Sequence, residues 1–113
     1  MAVSLNIQTN IQTAHSKPAD TNYATIYTVP TGAQRSIMLG MNIAITGASS
    51  VTVAYNNGST DVLLMDAVSK SANTSELHDF GPIALQPGWL VKVKTSNADD
   101  TTFVLTYAEE YRL

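Results

Sequence analysis

The residues that could do chemistry are few, and their spacing does not serve it. There are two histidines, His15 and His78. His78 lies in Glu76-Leu77-His78-Asp79, and on a strand an acid adjacent in sequence points to the opposite face, so the neighbours make no dyad. His15 sits in a polar stretch near Lys17 and Pro18, where a solvent-exposed or contact role is expected. No Gly-x-Ser-x-Gly turn is present to aim a serine nucleophile. Asp61, Asp66, Glu76, Asp79, Asp99 and Asp100 could offer oxygen ligands. Calcium, however, needs about six to eight oxygens at defined loop spacing, and these positions do not match such spacing. The 113 residues contain no Cys, so they offer no disulfide, thiol nucleophile or thiolate metal site. No catalytic, cofactor-binding or metal residue is therefore assigned, no cofactor is expected, and the chain reads as a non-enzyme.

The aromatic and basic side chains offer contacts rather than reactions. Trp89 follows Pro87-Gly88 in phase with Val91, which points to the core or its edge. A sugar-binding sandwich would want several exposed aromatics in a row. Tyr23, Tyr27 and Tyr55 could form a patch, with at least one facing the core. Lys92 and Lys94 share a strand face, as a solubility feature or half of an interface ion pair. Glu109-Glu110-Tyr111-Arg112 reads as a solvated tail or as the rim of an interface, with Tyr111 and Arg112 the rim candidates because Tyr and Arg are enriched at contacts.

Composition narrows the partners. Charged residues are 13% of the chain, about half the usual quarter, so the surface must be built largely from Ser, Thr, Asn and Gln. The net charge of -3 disfavours nucleic acid, whose binders carry basic stripes. No apolar run reaches the ~18 residues of a membrane span. Met1-Ala2-Val3-Ser4-Leu5-Asn6-Ile7 lacks the basic and apolar regions of a secretory leader, so synthesis and assembly in a cytoplasm are expected.

The elements that must position these residues are strands. No segment of ten or more residues has helical apolar spacing with a start signal; Val62 to Ala72 comes closest. Ile37, Leu39, Met41, Ile43 and Ile45 alternate with Met38, Gly40, Asn42 and Ala44, predicting a long strand with one apolar face. Val51, Val53 and Tyr55 follow the Thr46 to Ser50 turn and predict the second half of an antiparallel hairpin. Further strands are expected at Tyr23 to Val29, Val62 to Met65, Phe80 to Leu85, Trp89 to Val93 and Phe103 to Tyr107. The prediction is an all-β fold: an antiparallel, jelly-roll-like sandwich of eight or nine short strands. Residues 22–113 form the sandwich, and residues 1–21 form an N-terminal arm or first strand. Two readings of that segment stand: a first strand plus a loop, or an extended arm that pairs with a neighbouring subunit. Leu5, Ile7, Gln8, Asn10, Ile11 and Gln12 are the candidate intersubunit residues.

Two stretches carry a resemblance. Thr25-Ile26-Tyr27-Thr28-Val29-Pro30-Thr31-Gly32 leads into the long alternating strand, and Gly81-Pro82-Ile83-Ala84-Leu85-Gln86-Pro87-Gly88-Trp89-Leu90-Val91-Lys92-Val93 leads into the penultimate one. Together, over roughly residues 23–108, they resemble the small jelly-roll or β-sandwich virion proteins of tailed bacteriophages. The resemblance implies a capsid decoration or cement protein located in the virion. It implies a homodimer or homotrimer whose partner is the major capsid protein, and no catalytic residues. A tail, neck or baseplate component, with tail proteins as partners, is the alternative, and a carbohydrate- or receptor-binding module is the third reading.

Overall fold

The structure is a computed structural model that describes residues 7–112; Leu5 of the expected arm lies outside them. The described residues form β1 (Ile7–Ser16), β2 (Ala24–Thr28), β3 (Arg35–Ile45), β4 (Ser49–Asn56), β5 (Asp61–Lys70), β6 (Thr74–His78), β7 (Ile83–Leu85), β8 (Leu90–Thr95) and β9 (Thr101–Arg112). One sheet runs β1-β9-β3-β6, with β7 also on β3; the other runs β2-β8-β4-β5. Every pairing is antiparallel. β6 and β7 share one edge of β3, at Met41–Ile45 and Ser36–Met38 respectively. They act as one interrupted edge strand. Most connections cross from one sheet to the other, which gives the expected all-β, antiparallel, jelly-roll-like sandwich with nine strands.

The core lies between the sheets because each contributes one apolar face. Met38, Met41, Ile43, Leu85, Phe103 and Leu105 come from the first sheet, and Val51, Val53, Val91 and Val93 from the second; all are fully buried. Trp89 packs at the margin of this core and stacks on Tyr55, with ring centroids 6.1 Å apart. That agrees with its expected core-edge place.

The structure corrects the expected hairpin between the strands now called β3 and β4. They do not pair and lie in different sheets. Each has its own apolar face to bury, and the two faces meet across the core rather than side by side. Thr46-Gly47-Ala48 is therefore a corner between sheets, fixed by the β8–β9 loop. Thr46 N donates to the Asp100 carbonyl at 2.9 Å. Thr46 Oγ1 donates to Asp100 Oδ1 at 3.0 Å and Asn97 Nδ2 to the Ala48 carbonyl at 3.2 Å. A Cβ at Gly47 would sit 2.7 Å from Asp100 Oδ2, so any other residue there must displace that carboxylate.

The single apolar face expected for β3 is also corrected. A register shift between Met38 and Gly40 against β9 inserts Leu39 as an extra residue. The bulge reverses the phase. Ser36 and Met38 point inward before it and Met41, Ile43 and Ile45 after it, while Ile37 is half-buried and Leu39 exposed. β6 was not expected, because Thr74-Ser75-Glu76-Leu77-His78 is polar and mostly exposed. It is an edge strand held by β3. β5 extends to Lys70, beyond the expected Met65, and its register shifts twice against β4.

Candidate functional site

The described arm candidates, Ile7, Gln8, Asn10, Ile11 and Gln12, and the rim candidates Tyr111 and Arg112 lie along one ribbon. β1 pairs with β9 of its own chain over its whole length. Ile7 lies opposite Arg112, Gln8 opposite Tyr111, Asn10 opposite Glu109, Ile11 opposite Ala108 and Gln12 opposite Tyr107. Ile7–Ser16 is thus the first described strand of the sheet. β1 is terminal in the sheet order, so its outer edge has no strand partner among the described residues.

Behind this ribbon a polar cluster ties the two sheets together. Tyr27 of β2 reaches across to β3 and β9, bonding Ser36 Oγ at 2.5 Å and donating to Glu109 Oε2 at 2.5 Å. Tyr111 donates to the other carboxylate oxygen at 3.0 Å. Tyr107 stacks on Tyr27 with centroids 4.0 Å apart and donates to Gln12 Oε1 at 3.1 Å. Glu109 is 6% exposed and has no ion-pair partner among the described residues, so two phenols satisfy its carboxylate. Burial, then the Glu109 bond, pushes the Tyr27 phenol well above its ordinary value, with the Ser36 bond acting the other way. Burial, then the Glu109 charge, raises Tyr107. The Glu109 bond, then burial, raises Tyr111. Of the rim candidates, Tyr111 thus serves this internal cluster, while Arg112 is exposed.

The outer face of the same sheet carries little charge. One row across it reads Ile11, Ala108, Ile37 and Ala84, on β1, β9, β3 and β7 in turn. A second row reads His15, Val104, Asn42 and Leu77. The bulge pushes Leu39 out between them. Ile11 is 70% exposed and Leu77 72%, far beyond what a buried-face strand would leave in water. Arg35 and Glu110 are also on this face and neutralise each other at 2.7 Å, and the exposed Arg112 stands in phase with them at the end of β9.

The histidines are far apart in this arrangement. The His15 ring reaches Thr13 Oγ1 at 3.4 Å on the open face of β1. His78 is half-buried at the β6 edge, 3.6 Å from Glu76 Oε2, with Nε2 lacking a hydrogen-bond partner. Burial, and next the charge of Lys70, lowers its pKa despite Glu76. Lys92 pairs with Asp61 at 2.6 Å. Of the three tyrosines expected to form a patch, Tyr27 faces the core and Tyr23 stands exposed beneath Lys92 and Lys94. The described residues hold no cluster of three or more His, Asp or Glu that could bind a metal.

The Tyr27–Glu109 cluster and the bulge were not expected from the sequence, where their signals are weak: an acid placed among apolar alternating positions of β9, and three consecutive large apolar residues, Ile37, Met38 and Leu39, within an alternating run.

No family model matches the chain, and no curated protein matches it. Solved structures do share its fold. It is similar to a subunit of the Bacillus endospore appendages, described as a novel family of disulfide-linked pili. The identity is 16% and the TM-score 0.61, over 98% of this chain and 92% of that one. It is also similar to a chain of the acidic stable capsid of Helicobacter pylori bacteriophage KHP30. There the identity is 16% and the TM-score 0.53, over 96% of this chain and 94% of that one. At this identity the likeness is one of fold: a sandwich of the kind used by capsid and pilus subunits.

Proposed function

We propose that the protein is a non-enzymatic structural subunit of a bacteriophage virion, and more narrowly a capsid decoration or cement protein. In this role it associates as a homodimer or homotrimer and bridges neighbouring copies of the major capsid protein. The observation that carries the reading is the low-charge outer face of the β1-β9-β3 sheet, with Ile11, Leu39 and Leu77 exposed on it. A face about four strands wide and ten residues long covers roughly 600 Å². That approaches the ~800 Å² per partner of a standard interface. With Arg35 and Glu110 already paired, little charge must be desolvated on docking. The outer edge of β1, including Gln8, Asn10 and Gln12, has no strand partner among the described residues and offers backbone groups for strand addition by a neighbour. The capsid likeness supports this reading over the pilus one, because these residues contain no Cys with which to make disulfide links.

The test is co-sedimentation with virions, or with empty capsids, depleted of this protein. The expected result is saturable binding at a fixed ratio to the major capsid subunit. Leu77→Lys and Ile11→Lys should weaken it at least ~10-fold, about 1.4 kcal/mol. Failure of the folded wild-type protein to bind such particles overturns the cement reading. Binding to isolated tails instead transfers the role to a tail, neck or baseplate part.

A further inference from the structure

The outer face of the second sheet holds a cleft of about 630 Å³, within the ~300–1,000 Å³ of small-molecule sites. Tyr23, Lys94, Thr52 and Asp66 line it in the order of the strands that carry or precede them, with Ser50 beside Thr52. The second wall is made by a bulge. Val51 lies opposite Val68 and Val53 opposite Met65, so Asp66 and Ala67 together face the single residue Thr52. Ala67 takes φ 48° there, a left-handed conformation that non-glycine residues rarely adopt. Its N–H donates to Thr52 Oγ1 at 3.0 Å, which holds the bulge in place. Such bulges re-aim side chains beside binding sites, and this one leaves both Asp66 and Ala67 exposed in the cleft.

The lining identifies a ligand by its chemistry. It holds one carboxylate, Asp66, and one ammonium, Lys94; neither has an ion-pair partner among the described residues. Their charges cancel, which disfavours both a phosphate-like anion and a polycation. A purely apolar ligand would find only Ala67 and the Tyr23 ring. Tyr23 is 41% exposed, and its ring is held by Lys92 and Lys94 ammonium groups 4.5 and 5.3 Å from the centroid. Such contacts attract the ring electrostatically and limit its freedom. An aromatic wall, a carboxylate acceptor, an ammonium donor and the accessible hydroxyls of Thr21, Ser50 and Ser96 match a ring of vicinal hydroxyls whose C–H face is apolar.

We propose that this cleft binds a neutral saccharide. The part of the Tyr23 ring left open by the two lysines packs against a sugar ring face, Asp66 accepts from one hydroxyl, and Lys94 donates to its neighbour. The site is distinct from the low-charge face of the first sheet, so its failure would leave the structural role untouched. The aromatic residue concerned is Tyr23, not Trp89, which is occupied by Tyr55.

The test is a titration of ¹⁵N-labelled protein with neutral probes: maltotriose, cellotriose, chitotriose and mannotriose. The expected result is saturable amide shifts confined to Tyr23, Asp66, Ala67 and Lys94 for at least one probe, with a dissociation constant of about 1 mM or tighter. Tyr23→Ala and Asp66→Asn, both at exposed positions, should each weaken binding at least ~10-fold while leaving the rest of the spectrum in place. No shift at these amides with any probe overturns the proposal. Shifts that neither substitution weakens, or tighter binding of inorganic phosphate at the same amides, also overturn it.

Discussion

Glu109 and Tyr27 carry the largest residue-scale risk in the fold. A carboxylate in the interior is tolerated only while donors satisfy it. Tyr27→Phe keeps the ring stacked on Tyr107 but removes the proton that Glu109 Oε2 accepts. Urea denaturation at pH 7 should show a loss of about 1–3 kcal/mol. Unchanged stability would mean that the cluster contributes nothing. The phenol pKa is raised in the folded state, so its stabilising contribution is complete below about pH 10, the unfolded value. It falls away as pH rises above that. The wild-type urea midpoint should therefore drop above pH 10, and Tyr27→Phe should reduce that drop. His78 works on the acid side. Its folded pKa is lowered, first by burial, so its contribution is complete above about pH 6.5 and is lost as pH falls below it. His78→Leu should flatten the stability profile below pH 6.5; an unchanged profile would locate the acid sensitivity elsewhere. At this scale the sequence was legible for what it lacks in spacing and cysteine. It was silent on the cluster, because Tyr27 and Glu109 are 82 positions apart and meet only once both sheets exist.

At the scale of elements, alternation found nearly every strand but not its partner. Ile37 to Ile45 and Val51 to Tyr55 were legible as strands because period two is a local property. Their pairing was not, since a corner and a hairpin turn can share the same Gly-Ala-Ser-Ser residues. What separates them is the contact of Gly47 with Asp100. Gly47→Ala places a methyl against that carboxylate and should cost about 1–3 kcal/mol. A thermal melt of the variant indistinguishable from wild type would show that the corner yields freely. β6 escaped notice because an edge strand needs no apolar period of its own. The first strand was legible as an element, yet its partner β9 lies at the other end of the chain. Deleting residues 2–20 removes all of β1 and bares the edge of β9. The truncated chain should therefore lose cooperative unfolding or aggregate; a truncated monomer of wild-type stability would show that the segment is an accessory arm.

The whole molecule is long for its size. Its radius of gyration is 15.4 Å and its extents are 59 × 27 × 20 Å, against roughly 13 Å for a compact domain of this length. β9 accounts for much of this, because its 12 residues extend about 40 Å at ~3.3 Å each. A slab of this shape presents two broad faces of different character. One is low in charge and carries Ile11, Leu39 and Leu77; the other carries Lys92, Lys94 and the Tyr23 cleft. Such a division suits a subunit that docks by one face and displays the other. The proposed structural role in a virion is decided by a count of copies. Parent particles are disrupted, heads and tails are separated, and this chain is quantified in each fraction by mass spectrometry. The expected result is a fixed, high ratio to the major capsid protein in the heads. Absence of the chain from both fractions would contradict it.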